Sequence, residues 1–154
     1  MELSEILRPA AVKVVANASS KKRLFQDLGD VVAAAYGIDS AGAFAALQER
    51  ESLGPTGVGH GIALPHARIA GLDRVVGAFF RLEKPVDFDS VDKQPVDLVF
   101  ALFAPDGGGV DHLKALALVS RTMRDSSVTA KLRANSSPDT LHTILTEAQA
   151  SHAA

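Results

Sequence analysis

Two apolar runs of strand length, residues 75–82 and 96–103, constrain this chain more than any other feature. The first reads Val-Val-Gly-Ala-Phe-Phe-Arg-Leu and the second Val-Asp-Leu-Val-Phe-Ala-Leu-Phe. A strand with one wet face alternates apolar and polar residues, whereas a near-continuous apolar run has no face to show water. Both segments therefore need cover on two sides, and helices must supply it.

Helical patterns are present before and after these runs. Ser19 or Ser20 is placed to cap a helix in which Leu24, Leu28, Val31, Val32 and Ala35 recur at helical spacing, ended by Gly37. Asp39 is placed to cap a second, with Phe44 and Leu47 turned inward. Later helices are predicted over residues 111–124 and 128–133. A last one has Ser137 as cap, Pro138 at its first position, and a stripe of Leu141, Ile144, Leu145 and Ala148. Residues 11–15 and 62–64 read as short strands, and Pro65 should terminate the second. The expected fold is α/β: a three-layer α/β/α sandwich with a mixed central sheet of about four to five strands and helices on both faces. Residues 1–154 are expected to form one domain, with a frayed tail from about residue 147.

With 154 residues and 47% hydrophobic content, such a domain can bury roughly two thirds of its unfolded surface without metal or disulfide. Cysteine is absent, which removes disulfides, thiolate metal sites and cysteine nucleophiles. A net charge of -2, from 16 basic and 18 acidic residues, provides no field for general nucleic-acid binding. The acidic start Met1-Glu2-Leu3-Ser4-Glu5 is unlike a secretory signal. No apolar run approaches the roughly 18–20 residues of a membrane span. A cytoplasmic domain with no membrane insertion is expected.

The middle of the chain is where chemistry concentrates. Residues 54–61 read Gly-Pro-Thr-Gly-Val-Gly-His-Gly and lead into Ile62-Ala63-Leu64-Pro65-His66. Proline stiffens the backbone that presents His66, and Gly57, Gly59 and Gly61 let a bulky group approach. A neutral imidazole is a nucleophile near neutral pH. Two readings of His66 stay open on this ground: a nucleophile, or a histidine ending a strand. His112 opens a helix, where an anion is favoured and an imidazole tends to stay neutral; it reads equally as a helix-start residue without a ligand. His142 and His152 read as solvated surface.

Nucleotide motifs fail. The glycines at 57, 59 and 61 precede a strand rather than a helix, and His60 stands where a phosphate-loop lysine belongs. Asp87, Asp89 and Asp92 lack the glycine and terminal glutamate of a calcium loop and read as a solvated turn. No cofactor signature is visible, so any phosphate must come from another molecule.

The segment from Glu51 to Arg68, with Gly61-Ile62-Ala63-Leu64-Pro65-His66 at its centre, strongly resembles the active-site segment of type-2 enzyme IIA proteins. These are fructose/mannitol-type components of the bacterial phosphoenolpyruvate-dependent phosphotransferase system. The resemblance continues through Lys93-Gln94-Pro95-Val96-Asp97-Leu98 and Asp111-His112-Leu113-Lys114. Residues 50–54 and 92–97 are most similar to the stand-alone, nitrogen-related branch. The resemblance implies phosphoryl transfer onto His66 from an HPr-like carrier, with His112 as second active-site histidine and Arg50 facing the phosphoryl group. Thr56, Gly57 and Gly59 would form the phosphate-side loop. It further implies a regulator read by targets such as potassium-transport or sensor-kinase proteins. The departure is His60, where many members carry Asn; it is taken as a polar loop residue. A sugar-specific IIA subunit serving a IIB domain is the alternative. Behind it stand a non-catalytic binding module and a zinc site made of His60, His66 and His112.

Overall fold

The computed structural model describes residues 1–107 and 109–153, with side chains through residue 148. Its axis is strand β6, Val96–Pro105, in which every residue from Leu98 to Ala104 is at most 1% exposed. Odd and even side chains are covered alike, as the apolar run requires. Strand β5, Val76–Val86, pairs antiparallel with one edge of β6, and β1, Val12–Val15, lies parallel outside it. Along the other edge run β3, Ile62–Ala63, and β4, His66–Ile69, both parallel to β6. Strand β2, Gly57–Gly59, folds back antiparallel on β3. Helices α2, Lys21–Tyr36, and α3, Ser40–Ser52, pack against β5 and β4. Helices α4, Val110–Arg124, and α6, Pro138–Ala153, pack against β6 and β1, with α5, Ser126–Arg133, between them. The three-layer α/β/α sandwich is therefore present, with helices on both faces.

The sheet has six strands, more than the four to five expected. One addition is β2, formed by the glycine run itself. The other is β4, because Pro65 interrupts the edge without ending it. Proline removes a donor but keeps its acceptor: the Pro65 carbonyl accepts the Leu102 N–H at 2.9 Å. Pairing then resumes with His66 opposite Leu102.

The caps fall where the short polar residues predict. Ser20 Oγ accepts the Arg23 N–H at 3.1 Å, and Asp39 Oδ2 accepts the Gly42 N–H at 2.8 Å. Gly37 ends α2 with φ +73°, the left-handed conformation that glycine adopts without strain. Helix α6 continues through residues 148–153, where fraying was expected.

A short helix α1, Leu3–Ile6, had no signal in the sequence, since four residues are too few to display a period. It buries Leu3 and Ile6, and Leu7 follows them into the core. The Tyr36 hydroxyl fixes this segment to the sheet: it accepts the Arg8 N–H at 2.9 Å and donates to the Gly77 carbonyl at 2.7 Å. Burial raises the Tyr36 pKa above its ordinary value. His142 corrects its solvated reading. It is half-buried, and its Nε2 lies 2.9 Å from the Leu7 carbonyl, fastening α6 to the N-terminal segment. The side chain of His152 lies outside those described.

Candidate functional site

His66 is the first residue of β4 and is half-buried. Pro65 breaks the strand immediately before it, leaving the Leu64 carbonyl turned out of the ladder. That carbonyl lies 2.9 Å from His66 Nδ1. A carbonyl only accepts, so the neutral ring must carry its proton on Nδ1 and keep a lone pair on Nε2. Leu64 is itself held by its N–H, which donates to the Thr56 carbonyl at 3.0 Å. Backbone hydrogen bonds thus select the tautomer a nucleophile needs.

Two helices bring polar groups to this imidazole. Helix α3 packs on β4, and Arg50 in its last turn donates from Nη1 to the Gly54 carbonyl at 3.0 Å. Helix α4 starts beside β6, and its first turn places the His112 ring 5.6 Å from that of His66, centroid to centroid, at 46°. A cavity of about 510 Å³ is lined by His66, His112, Arg50 and Arg68, with Glu49 and Asp106 also on its wall. Arg68 steadies its guanidinium by donating to the Pro105 carbonyl at 3.2 Å. The cavity therefore offers two guanidinium groups and two imidazoles to an anion.

His112 is 8% exposed, and its Nδ1 is buried with no partner among the described residues. Its pKa lies below the ordinary 6.5, first because burial disfavours the charged ring, then because of repulsion from His66 and Arg68. Above about pH 6.5 folded and unfolded chains both hold this ring neutral. As pH falls, the unfolded chain takes the proton first, and the native state loses stability until the depressed pKa is passed. An anion bound beside His66 should reverse the electrostatics and raise the His112 pKa. Histidine ring NMR across a pH titration, with and without inorganic phosphate, measures both steps. An unmodified His112 titrating at or above 6.5 contradicts this account.

The glycine-run residues lie elsewhere. Thr56 is 5% exposed, with its hydroxyl donating to Glu51 Oε1 at 2.5 Å and its N–H to Glu51 Oε2 at 2.9 Å. Gly57 packs against Ser90, whose Oγ would lie 2.1 Å from an added Cβ. Gly59 and His60 line a different cavity. Thr56, Gly57 and Gly59 therefore build the loop, and none of them lines the cavity that holds His66. The three-histidine metal set is not assembled either, because His60 stands apart. Among the described residues no cluster of three His, Asp or Glu is arranged to hold a metal ion.

Two residues escaped the sequence reading. Arg68 stands two residues beyond His66, so the two-residue period of a strand puts both on one side of β4. Continuing the strand past Pro65 would have found it. Glu51, which organises the loop, carries no signal detectable from spacing.

A profile described as "Phosphoenolpyruvate-dependent sugar phosphotransferase system, EIIA 2" matches residues 5–148. The "Nitrogen regulatory protein" of Bradyrhizobium diazoefficiens is 41% identical over 145 residues, covering 94% of this chain and 95% of that protein. The protein of the same name from Escherichia coli is 35% identical over 150 residues, covering 97% and 92%. Among solved structures, nitrogen regulatory protein IIA-Ntr of Neisseria meningitidis superposes with a TM-score of 0.86 at 37% identity, covering 92% of this chain and 97% of that one. Matched by that profile over nearly its whole length and 41% identical to a relative it covers almost completely, this chain belongs to the type-2 EIIA family of the phosphoenolpyruvate-dependent sugar phosphotransferase system.

Proposed function

We propose that the chain is a phosphohistidine carrier of the nitrogen-regulatory branch, accepting a phosphoryl group on His66 Nε2 from an HPr-like phosphocarrier. The observation that carries this reading is the hydrogen bond between His66 Nδ1 and the Leu64 carbonyl. It leaves Nε2 as the nucleophilic nitrogen in a cavity that Arg50, Arg68 and His112 line. The donor's P–N bond breaks as the bond to Nε2 forms, and the donor imidazole leaves. The His66 ring gains positive charge, which its Nδ1–H shares with the Leu64 carbonyl. The guanidinium groups stabilise the oxygens in flight, as phosphoryl transfer mainly requires. His112, held neutral, donates a hydrogen bond without competing for the phosphorus.

Leu53, Val110 and Leu113 are exposed large apolar residues beside these groups in sequence, and Leu53 also lines the cavity. They supply the carrier's docking rim together with Val58. Leu64, also apolar and beside the loop, is 6% exposed and unavailable on the surface. The names borne by the full-length relatives favour a regulatory output over a sugar-specific one. Phosphorylation would then change a two-charge patch that target proteins, of the potassium-transport or sensor-kinase kind, read directly. No helix among the described residues is long and apolar enough to cross a membrane.

Incubation with phosphoenolpyruvate and the phosphorylated carrier system should label the chain. The label should be acid-labile and alkali-stable, and should map to the peptide containing His66. His112→Ala should reach the same final labelling at a rate about ten- to a hundredfold lower, the loss of one charge-assisted hydrogen bond. An acid-stable label, or one mapping to another peptide, refutes the proposal.

A further inference from the structure

A second cavity is larger than the one that holds His66. It measures about 580 Å³ and lies between the glycine loop and helices α4 and α5. That is within the range that encloses small organic ligands. Val58, Ile62, Leu64 and Met123 give it an apolar wall. Ser120, Ser126 and Thr129 add neutral polar groups, and the charged lining is cationic: Arg124 and Arg133 contribute guanidinium groups, with no carboxylate among the described lining residues.

The cations are not equivalent. Arg133 is committed, with Nε donating to Asp97 Oδ2 at 3.0 Å and Nη2 to Asp97 Oδ1 at 2.9 Å and to the His60 carbonyl at 2.7 Å. Arg124 is exposed and makes no ion pair among the described residues. His60 is held at the wall in an unusual conformation, φ +58°, with its N–H donating to Asp92 Oδ2 at 2.9 Å. Fixing both its backbone groups holds a non-glycine residue in the left-handed region, a strain that collects at ligand sites. Its ring makes no hydrogen bond among the described residues.

We propose that this cavity binds a small amphipathic monocarboxylate, with its chain against Ile62, Leu64 and Met123 and its carboxylate on Arg124. Leu64 makes the site consequential. Its side chain lines this cavity, while its carbonyl holds His66 Nδ1. A ligand that shifts Leu64 therefore alters the hydrogen bond that selects the His66 tautomer. This regulatory half rests on the phosphocarrier reading; the binding half does not.

The probe is hexanoate, titrated into isotope-labelled protein, with hexanol as the uncharged control. Saturable shifts should appear at Val58, Ile62 and Met123 with Kd of about 1 mM, typical for so small a ligand. Arg124→Gln, an exposed change, should weaken hexanoate by roughly tenfold or more and leave hexanol unaffected. His66→Ala should bind hexanoate as the wild type does, so binding is tested even where transfer fails. Saturating hexanoate should also move the His66 ring nitrogen shifts and change the rate of labelling from the carrier at least about twofold. Arg124→Gln should label at the wild-type rate without hexanoate. No saturation by about 10 mM, or equal binding by Arg124→Gln, overturns the site. Binding with unchanged His66 shifts and unchanged labelling overturns the coupling.

Discussion

His66→Ala should take up no phosphoryl group from a phosphoenolpyruvate-driven carrier, at any time or carrier concentration. On the proposed mechanism the loss is absolute, because the substitution removes the atom that would form the P–N bond, whereas Arg50 and His112 would only lower the barrier. The fold should survive. His66 is half-buried at the start of β4, and the side-chain hydrogen bond lost with it is the one between Nδ1 and the Leu64 carbonyl. A stability change within about 1 kcal/mol is therefore expected. His66→Asn, whose side-chain amide nitrogen takes the place of Nδ1 and so keeps a donor for the Leu64 carbonyl but has no nucleophile, should match wild-type stability more closely and still remain unlabelled. Chemical denaturation alongside the labelling assay separates a missing nucleophile from a damaged fold. Undiminished labelling of either variant would falsify the assignment of His66.

The elements that were legible in the sequence share one property: their burial and caps are local. The run from Leu98 to Ala104 could not be a surface strand, and Ser20, Asp39 and Gly37 stop or start helices by their own hydrogen bonds or φ angles. The same locality explains the omissions. Helix α1 is four residues long, and β2 is made of Gly57, Val58 and Gly59, whose strand character exists only through pairing with β3. Strand β4 was hidden by Pro65, because a missing N–H was read as the end of pairing, although the carbonyl of the same residue still pairs with Leu102.

The candidate site divides in the same way. His66, His112 and Arg50 were reachable from the sequence because the resemblance of residues 50–68 and 111–114 carried them, and the structure brings all three to one cavity. Which ring nitrogen of His66 stays free is set by the Leu64 carbonyl beside Nδ1, a contact made by the fold. The resemblance implies Thr56 on the phosphate side of the loop. Its hydroxyl is instead directed at Glu51, a contact across five residues that no spacing rule singles out.

That contact makes Glu51 the residue whose loss should disturb the site most without touching the phosphoryl group. Its side chain is 7% exposed and receives three donors: Lys21 Nζ at 2.9 Å, the Thr56 N–H at 2.9 Å and the Thr56 hydroxyl at 2.5 Å. Lys21 also donates to the Phe88 carbonyl at 3.2 Å and lies 5.1 Å from the Phe88 ring centroid. One carboxylate thus joins α2, the end of α3, the glycine loop and the segment after β5. Arg50 precedes it in α3, and the Thr56 carbonyl holds the N–H of Leu64, whose own carbonyl holds His66. Glu51→Ala removes a charged acceptor from three donors, and Lys21, 21% exposed, recovers only part of its solvation. A loss of about 2–4 kcal/mol follows. It should show as a lower urea midpoint with an unchanged slope. Labelling at a temperature where the variant is folded should still slow by about tenfold, because the Leu64 carbonyl is no longer fixed. Glu51→Gln keeps the volume and one oxygen but turns an NH2 toward donors, so it should fall between the two in both measurements. A Glu51→Ala protein within about 0.5 kcal/mol of wild type and labelled at full rate would show that the backbone alone holds His66 in its tautomer.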